Sequence, residues 1–369
     1  MSGRDTFFEN PYEDYSSNLQ NSILNDSKDG VGILKFYLII SDVLREKLEN
    51  FKASKVHLLT TKLETELFCD GTVYTGSSGL ALYYTFNCLL NKNQTCTEHL
   101  QRAIKYVDIE HLKGRRISFL CGDAGPLAIA TVISYKLGNR QLNPLPDYKE
   151  LVQRVIKLAS LLNESPDEIL YGKAGYLFAL LFINKHVSSK DIIPIHHIEK
   201  VVNALISSGK QFSLQMKAES PLLWQWHDKI YLGAAHGMAG ILYMLLQARC
   251  CITGNDLRVF IKPSIDWLLG CRLSSGNFPS SLRSSSGDKL VQWCHGAPGF
   301  VPLCIAAYQK PVHLYRACCF MEWCAVERPG TELHRPDRPA CLFEGLLGRI
   351  FLAEDITRPM DSRFPAFCL

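Results

Sequence analysis

A chain of 369 residues, 47% hydrophobic and 21% charged, carries enough apolar side chains for one large core, which excludes wholesale disorder. Its formal charge of +4 is small for this length and no dense Lys/Arg block with interleaved aromatics occurs, so nucleic acid is not an expected partner. The N-terminus MSGRDTFFENPYEDY lacks an apolar signal core, and no uncharged run of about 18 residues could span a bilayer. A soluble, cytoplasmic protein is expected, with peripheral contact at the plasma membrane left open. Ser2 stands where myristoylation needs glycine and Cys368 is next to last, so neither common lipid anchor fits. The 14 cysteines are expected to be reduced thiols, with Cys250-Cys251 and Cys318-Cys319 buried as small hydrophobes.

Residues 1–30 are polar and aromatic without clear periodicity and form an N-terminal arm. From 31 to 369 the chain reads as one body. An amphipathic run over 34–52 precedes a more uniformly apolar one starting at Gly79, and the alternation continues with 101–109 then 125–137, 148–162 then 175–185, 197–215 then 240–249, and 257–270 then 299–308. Each pair predicts an outer and a buried inner helix, while strand patterns are scarce, so the class is all-α. Loops are expected at 138–146, 220–221, 274–287 and 327–339, and Lys113-Gly114-Arg115-Arg116 reads as a short solvated basic loop.

A G-x-x-G turn precedes each apolar run, at Gly76, Gly122, Gly172, Gly237, Gly296 and Gly345, and successive turns lie about 46 to 65 residues apart. That spacing suits two helices and two loops per unit, and so an α/α toroid of helical hairpins. In such a ring the inner helices are parallel, and their N-termini gather at one end with backbone N–H groups directed inward. The residues before each first glycine then form a circle: Thr75, Cys121, Tyr171, His236, His295 and Glu344. Five of the six titrate, which favours a site over a purely structural repeat.

Within that circle His236 suits general acid–base work near neutral pH. Cys294, in Trp293-Cys294-His295-Gly296, is a thiol near a helix N-terminus and a zinc-ligand candidate, although one Cys-His pair is short of the three protein donors of a catalytic zinc. Asp123 lies in the first turn of its helix, where the dipole alone would stabilise it. Lys173 at the equivalent turn is electrostatically misplaced unless an anion is nearby. A second charged group surrounds Arg335-Pro336-Asp337-Arg338.

These residues resemble the LanC-like proteins, eukaryotic relatives of the bacterial lanthionine cyclases. The resemblance is carried by Asn10-Pro11-Tyr12, Ser118-Phe119-Leu120-Cys121-Gly122-Asp123-Ala124-Gly125, Leu170-Tyr171-Gly172-Lys173-Ala174-Gly175, the GAAHGMAG run 233–240, WCHGAPG 293–299, LFEG 342–345 and RFPAF 363–367. It implies a seven-unit α/α toroid with zinc at its open end, and glutathione addition to dehydroamino acids in peptides or damaged proteins. By the same resemblance His236 is the active-site histidine, Lys173 matches a basic position in the same turn, Cys294 is one of three zinc ligands, and His334, Arg335, Pro336 and Asp337 form the glutathione-contacting loop, with the arginine displaced by one position; Asp123 is a further catalytic candidate.

One departure stands out. The family has two Cys-His-Gly turns and this chain has the first only, because after Tyr308-Gln309 it passes directly into a segment resembling the last outer helix. Six of seven units are therefore expected, with one missing near 309–311 and two zinc ligands lost with it. Impaired glutathione transfer is expected, or else non-catalytic binding of glutathione or a peptide. A glycoside-acting enzyme on a similar toroid would need two carboxylates flanking a sugar bond. Asp123 and Glu344 are the only obvious pair, and no aromatic cluster adjoins both.

Overall fold

The computed structural model describes residues 68 and 70–307, save 91–95, 139–142, 188–191, 285–287 and 289. The N-terminal arm, the helix expected over 34–52, the sixth G-x-x-G turn, the loop over 327–339 and the junction near 309–311 lie outside the described residues.

Helices alternate along the described chain. Inner helices are α1 (Ser77–Leu90), α3 (Ala124–Leu137), α5 (Lys173–His186), α7 (Met238–Gln247) and α9 (Val301–Ala306). Behind them lie α2 (Cys96–Ile104), α4 (Tyr148–Lys157), α6 (Ile195–Met216) and α8 (Lys262–Gly270). Each inner helix packs on the next, α1 on α3, α3 on α5, α5 on α7 and α7 on α9, and the first four each have an outer helix against them, α2, α4, α6 and α8. Two isolated bridges, Trp226 with Lys229 and Tyr231 with Ser281, are the only β pairing among the described residues.

Burial separates the two layers as their patterns require. Helix α3 is buried without a break from Ala124 to Ser134, α5 from Lys173 to Ile183 and α7 from Met238 to Leu245. Outer α4 buries only Leu151, Val152 and Val155 along one stripe. Because a fully buried Leu, Ile or Phe is worth about 1.5–3 kcal/mol over an exposed one, the inner layer is the anchor of the fold. Helix α2 begins earlier than the apolar pattern over 101–109 indicated, with Leu100 and Ala103 as its buried residues. A π turn over Leu257–Ile261 leads into α8, where Pro263 has no N–H to continue a regular ladder.

The cysteine expectation needs two corrections. Cys88 near the end of α1 and Cys96 at the start of α2 are joined as a disulfide, their Cα atoms 4.3 Å apart. Cys250 is exposed and Cys251 half-buried, since they occupy a one-turn 3-10 segment beyond the buried part of α7. No helix among the described residues is long and apolar enough to cross a membrane.

Candidate functional site

Backbone hydrogen bonds join the five described turns in chain order. The N–H groups of Val73 and Tyr74 donate to Leu120 O at 3.1 and 2.9 Å, Cys121 N to Leu170 O at 3.1 Å, Ile169 N to Ala235 O at 3.3 Å, and Ala235 N to Cys294 O at 3.4 Å. The turns' glycines permit this proximity: a Cβ on Gly175 would meet Ser118 Cβ of the preceding unit at 2.8 Å. Gly296 adds a conformational demand, since its φ of 107° is one that side-chain-bearing residues rarely adopt.

The row brings together four of the six residues expected to form a circle. The Tyr171 and His236 rings stack with centroids 6.0 Å apart, and His236 lies 6.3 Å from His295. Cys121 is close enough to Glu168 for that carboxylate to help burial push its thiol up to about 12. Thr75 instead donates to Asp70 Oδ2 at 3.1 Å in the first turn, and Glu344 lies outside the described residues.

Sequence reasoning missed Glu168. Only 1% exposed, its carboxylate accepts from Leu170 N at 2.9 Å, Tyr171 N at 2.6 Å and His236 Nδ1 at 2.7 Å. A buried carboxylate requires such donors, and its acceptance from Nδ1 assigns the proton of the neutral imidazole to that nitrogen. Nε2 has no protein hydrogen bond among the described residues, so it is the nitrogen available to a ligand. An acid three residues before Tyr171 was the signal, yet its partner lies 68 residues away in sequence.

Aromatic rings surround the imidazole. Trp226 stacks on it at 6.2 Å and lies tilted against Tyr171 at 5.9 Å, while Tyr231 is 5.7 Å from both His236 and His295. Arg116 lies over the Tyr171 ring, 4.3 Å from its centroid. The His295 base is held down to about 4 by burial first and by His236 second.

Lys173 and Asp123 have intrachain partners. Lys173 donates to Asp167 Oδ1 at 2.7 Å and to Ser165 O at 2.8 Å, both charged side chains being largely buried. The anion that its position called for is thus supplied six residues upstream. Asp123 accepts from the N–H groups of Lys113 and Gly114 at 3.1 and 2.6 Å, while its own N–H donates to Arg116 O at 3.0 Å. It thereby fastens the basic loop to the start of α3.

Cys294 is buried and donates to Gln292 Oε1 at 3.3 Å, and the adjacent His295 Nδ1 is buried without a hydrogen-bond partner among the described residues. No group of three His, Cys, Asp or Glu side chains among the described residues could hold a metal ion, so these residues do not fit a three-donor zinc site. His334, Arg335, Pro336 and Asp337 lie outside the described residues.

Comparison with known proteins agrees with this architecture. The family profile described as lanthionine synthetase C-like protein matches residues 68–314. A curated relative from Danio rerio, described as glutathione S-transferase LANCL1, is 32% identical over 422 residues, covering 97% of this chain and 98% of the relative. The solved structure of nisin cyclase superposes with a TM-score of 0.56 at 17% identity, over 88% of this chain and 84% of that one, a likeness of fold. With the profile and the full-length relative in agreement, the chain belongs to the lanthionine synthetase C-like family.

Proposed function

We propose that this chain binds glutathione at the joined turns and that His236, oriented by Glu168, carries the proton as the thiol adds to a dehydroamino acid in a peptide. The supporting observation is the 2.7 Å contact between His236 Nδ1 and Glu168 Oε2, which leaves Nε2 to face a ligand. The name of the Danio rerio relative supplies the thiol. The thiol proton passes to Nε2 while sulfur bonds to the β-carbon and the C=C electron pair moves to the α-carbon. The imidazolium, stabilised by the Glu168 carboxylate, then protonates the α-carbon. Atoms and electrons balance, and no oxidant is required.

The family resemblance carries an expectation of zinc held by three donors, of which the described residues supply Cys294. Turnover below that of relatives with a full donor set follows. An internal hairpin lacking near 309–311 is consistent with an alignment that runs over 422 residues although this chain has 369. The loop His334, Arg335, Pro336 and Asp337 is proposed as a further glutathione contact, in a cytoplasmic protein able to touch a membrane peripherally. A second reading, binding without turnover, is favoured by the hydrogen bond that Cys294 donates to Gln292. Incubating the full chain with glutathione and a dehydroalanine peptide separates the two. An adduct mass that grows with time and is lost in His236→Ala supports addition, whereas glutathione binding with no adduct supports the second reading.

A further inference from the structure

The charged groups near the joined turns differ in how they are partnered. Glu168 is committed to Leu170, Tyr171 and His236, and Asp70 accepts from Thr72 and from Thr75. Asp123 is occupied by the backbone of Lys113 and Gly114. Arg116 is exposed and makes no ion pair among the described residues, yet its guanidinium is held over the Tyr171 ring at 4.3 Å. Such a cation–π contact leaves the edges of the fork open to a ligand.

We propose that Arg116, seated on Tyr171, anchors a carboxylate of the thiol co-substrate and so places its sulfur beside His236. The inference rests on the glutathione reading above. Three features carry it. The loop bearing Arg116 is fixed by Asp123, so its position is built into the fold. Tyr171 bridges the two functions, contacting the guanidinium at 4.3 Å and the imidazole at 6.0 Å, so cation and proton carrier are one aromatic ring apart. Burial keeps the Tyr171 phenol above its usual range and therefore neutral, so the platform adds no competing charge. Glutathione carries two carboxylates within a few bonds of its thiol, and a planar fork grips a carboxylate through two parallel hydrogen bonds. Lysine would supply charge without either the fork or the stacking.

The test is calorimetric binding to the full chain of glutathione and of its diethyl ester, which keeps the thiol and masks both carboxylates. The native chain is expected to bind glutathione at least about tenfold more tightly than the diester. Arg116→Gln should erase that preference while melting like the native chain, and Arg116→Lys should restore only part of it. Tyr171→Leu, which removes the platform, should weaken glutathione and leave the diester unchanged. A native chain that does not distinguish the two ligands, or binds neither, overturns the anchor, as does Arg116→Gln retaining the preference. Arg116-dependent affinity for an acidic dehydroalanine peptide with none for glutathione also overturns it, by assigning the cation to the acceptor. Absence of adduct formation in the separate assay sinks catalysis alone, because this binding readout does not depend on turnover.

Discussion

His236 Nδ1 and Glu168 Oε2 stand 2.7 Å apart across the boundary between two helical hairpins, so the packing of the two hairpins also orients the imidazole. Glu168 also accepts two backbone N–H groups, which gives it a structural and a chemical task that substitution can separate. Glu168→Gln keeps the shape and removes the charge that stabilises an imidazolium. It should slow adduct formation by about 10–100-fold, as for loss of support to a general base, with the KM for glutathione little changed. Glu168→Ala should in addition lower stability by about 1–3 kcal/mol, because buried donors lose their acceptor, read as a fall in the urea midpoint.

Lys173 and Asp167 form a largely buried pair extended by Ser165 and by Ser208, which donates to Asp167 Oδ2 at 2.5 Å. Removing one partner leaves the other charge uncompensated, so Lys173→Met should cost about 3–5 kcal/mol in urea unfolding. Changing Asp167→Leu as well should recover part of that loss. Glutathione affinity of the folded fraction should be unchanged if the pair is structural.

His186 packs between Phe86 and Phe182, and burial first, with Lys185 and Lys136 second, holds its base down to about 4. Below the ordinary histidine value of 6.5 the unfolded chain takes up a proton that the folded chain refuses. Stability is therefore intact above pH 6.5 and falls toward pH 4, by at most about 1.4 kcal/mol per pH unit from this group. Thermal melts at pH 7 and pH 5 should show a smaller drop for His186→Phe than for the native chain. Equal drops would remove His186 from the acid response.

Metal analysis of the purified full chain should find well under one zinc per molecule, because the sequence carries one Cys-His-Gly turn, at 294–296, where a three-donor site of the kind the resemblance implies draws on two. Stoichiometric zinc that disappears in Cys294→Ala would show that a complete site is built with residues beyond 307.

The inner layer was legible in the sequence because burial on all sides leaves a uniformly apolar run, as in α3, α5 and α7. The grouping of Cys121, Tyr171, His236 and His295 followed from superimposing the G-x-x-G turns alone. Glu168 was hidden because one carboxylate before a turn resembles any surface acid until the histidine 68 residues on is folded against it. Arg116 read as part of a solvated loop, since its stacking on Tyr171 spans two units. Lys173 was noticed as a misplaced cation, but the partner that settles it, Asp167, lies just outside the helix whose pattern drew attention to it.

The most direct test compares the initial rate of glutathione addition to a dehydroalanine peptide for the native full chain, His236→Ala and the uncatalysed background, at saturating glutathione. The account predicts a native rate above background and a loss of at least about 100-fold in His236→Ala, the scale of a general acid–base contribution. A variant that adds glutathione as fast as the native chain would contradict the role given to His236 and to the carboxylate that holds it.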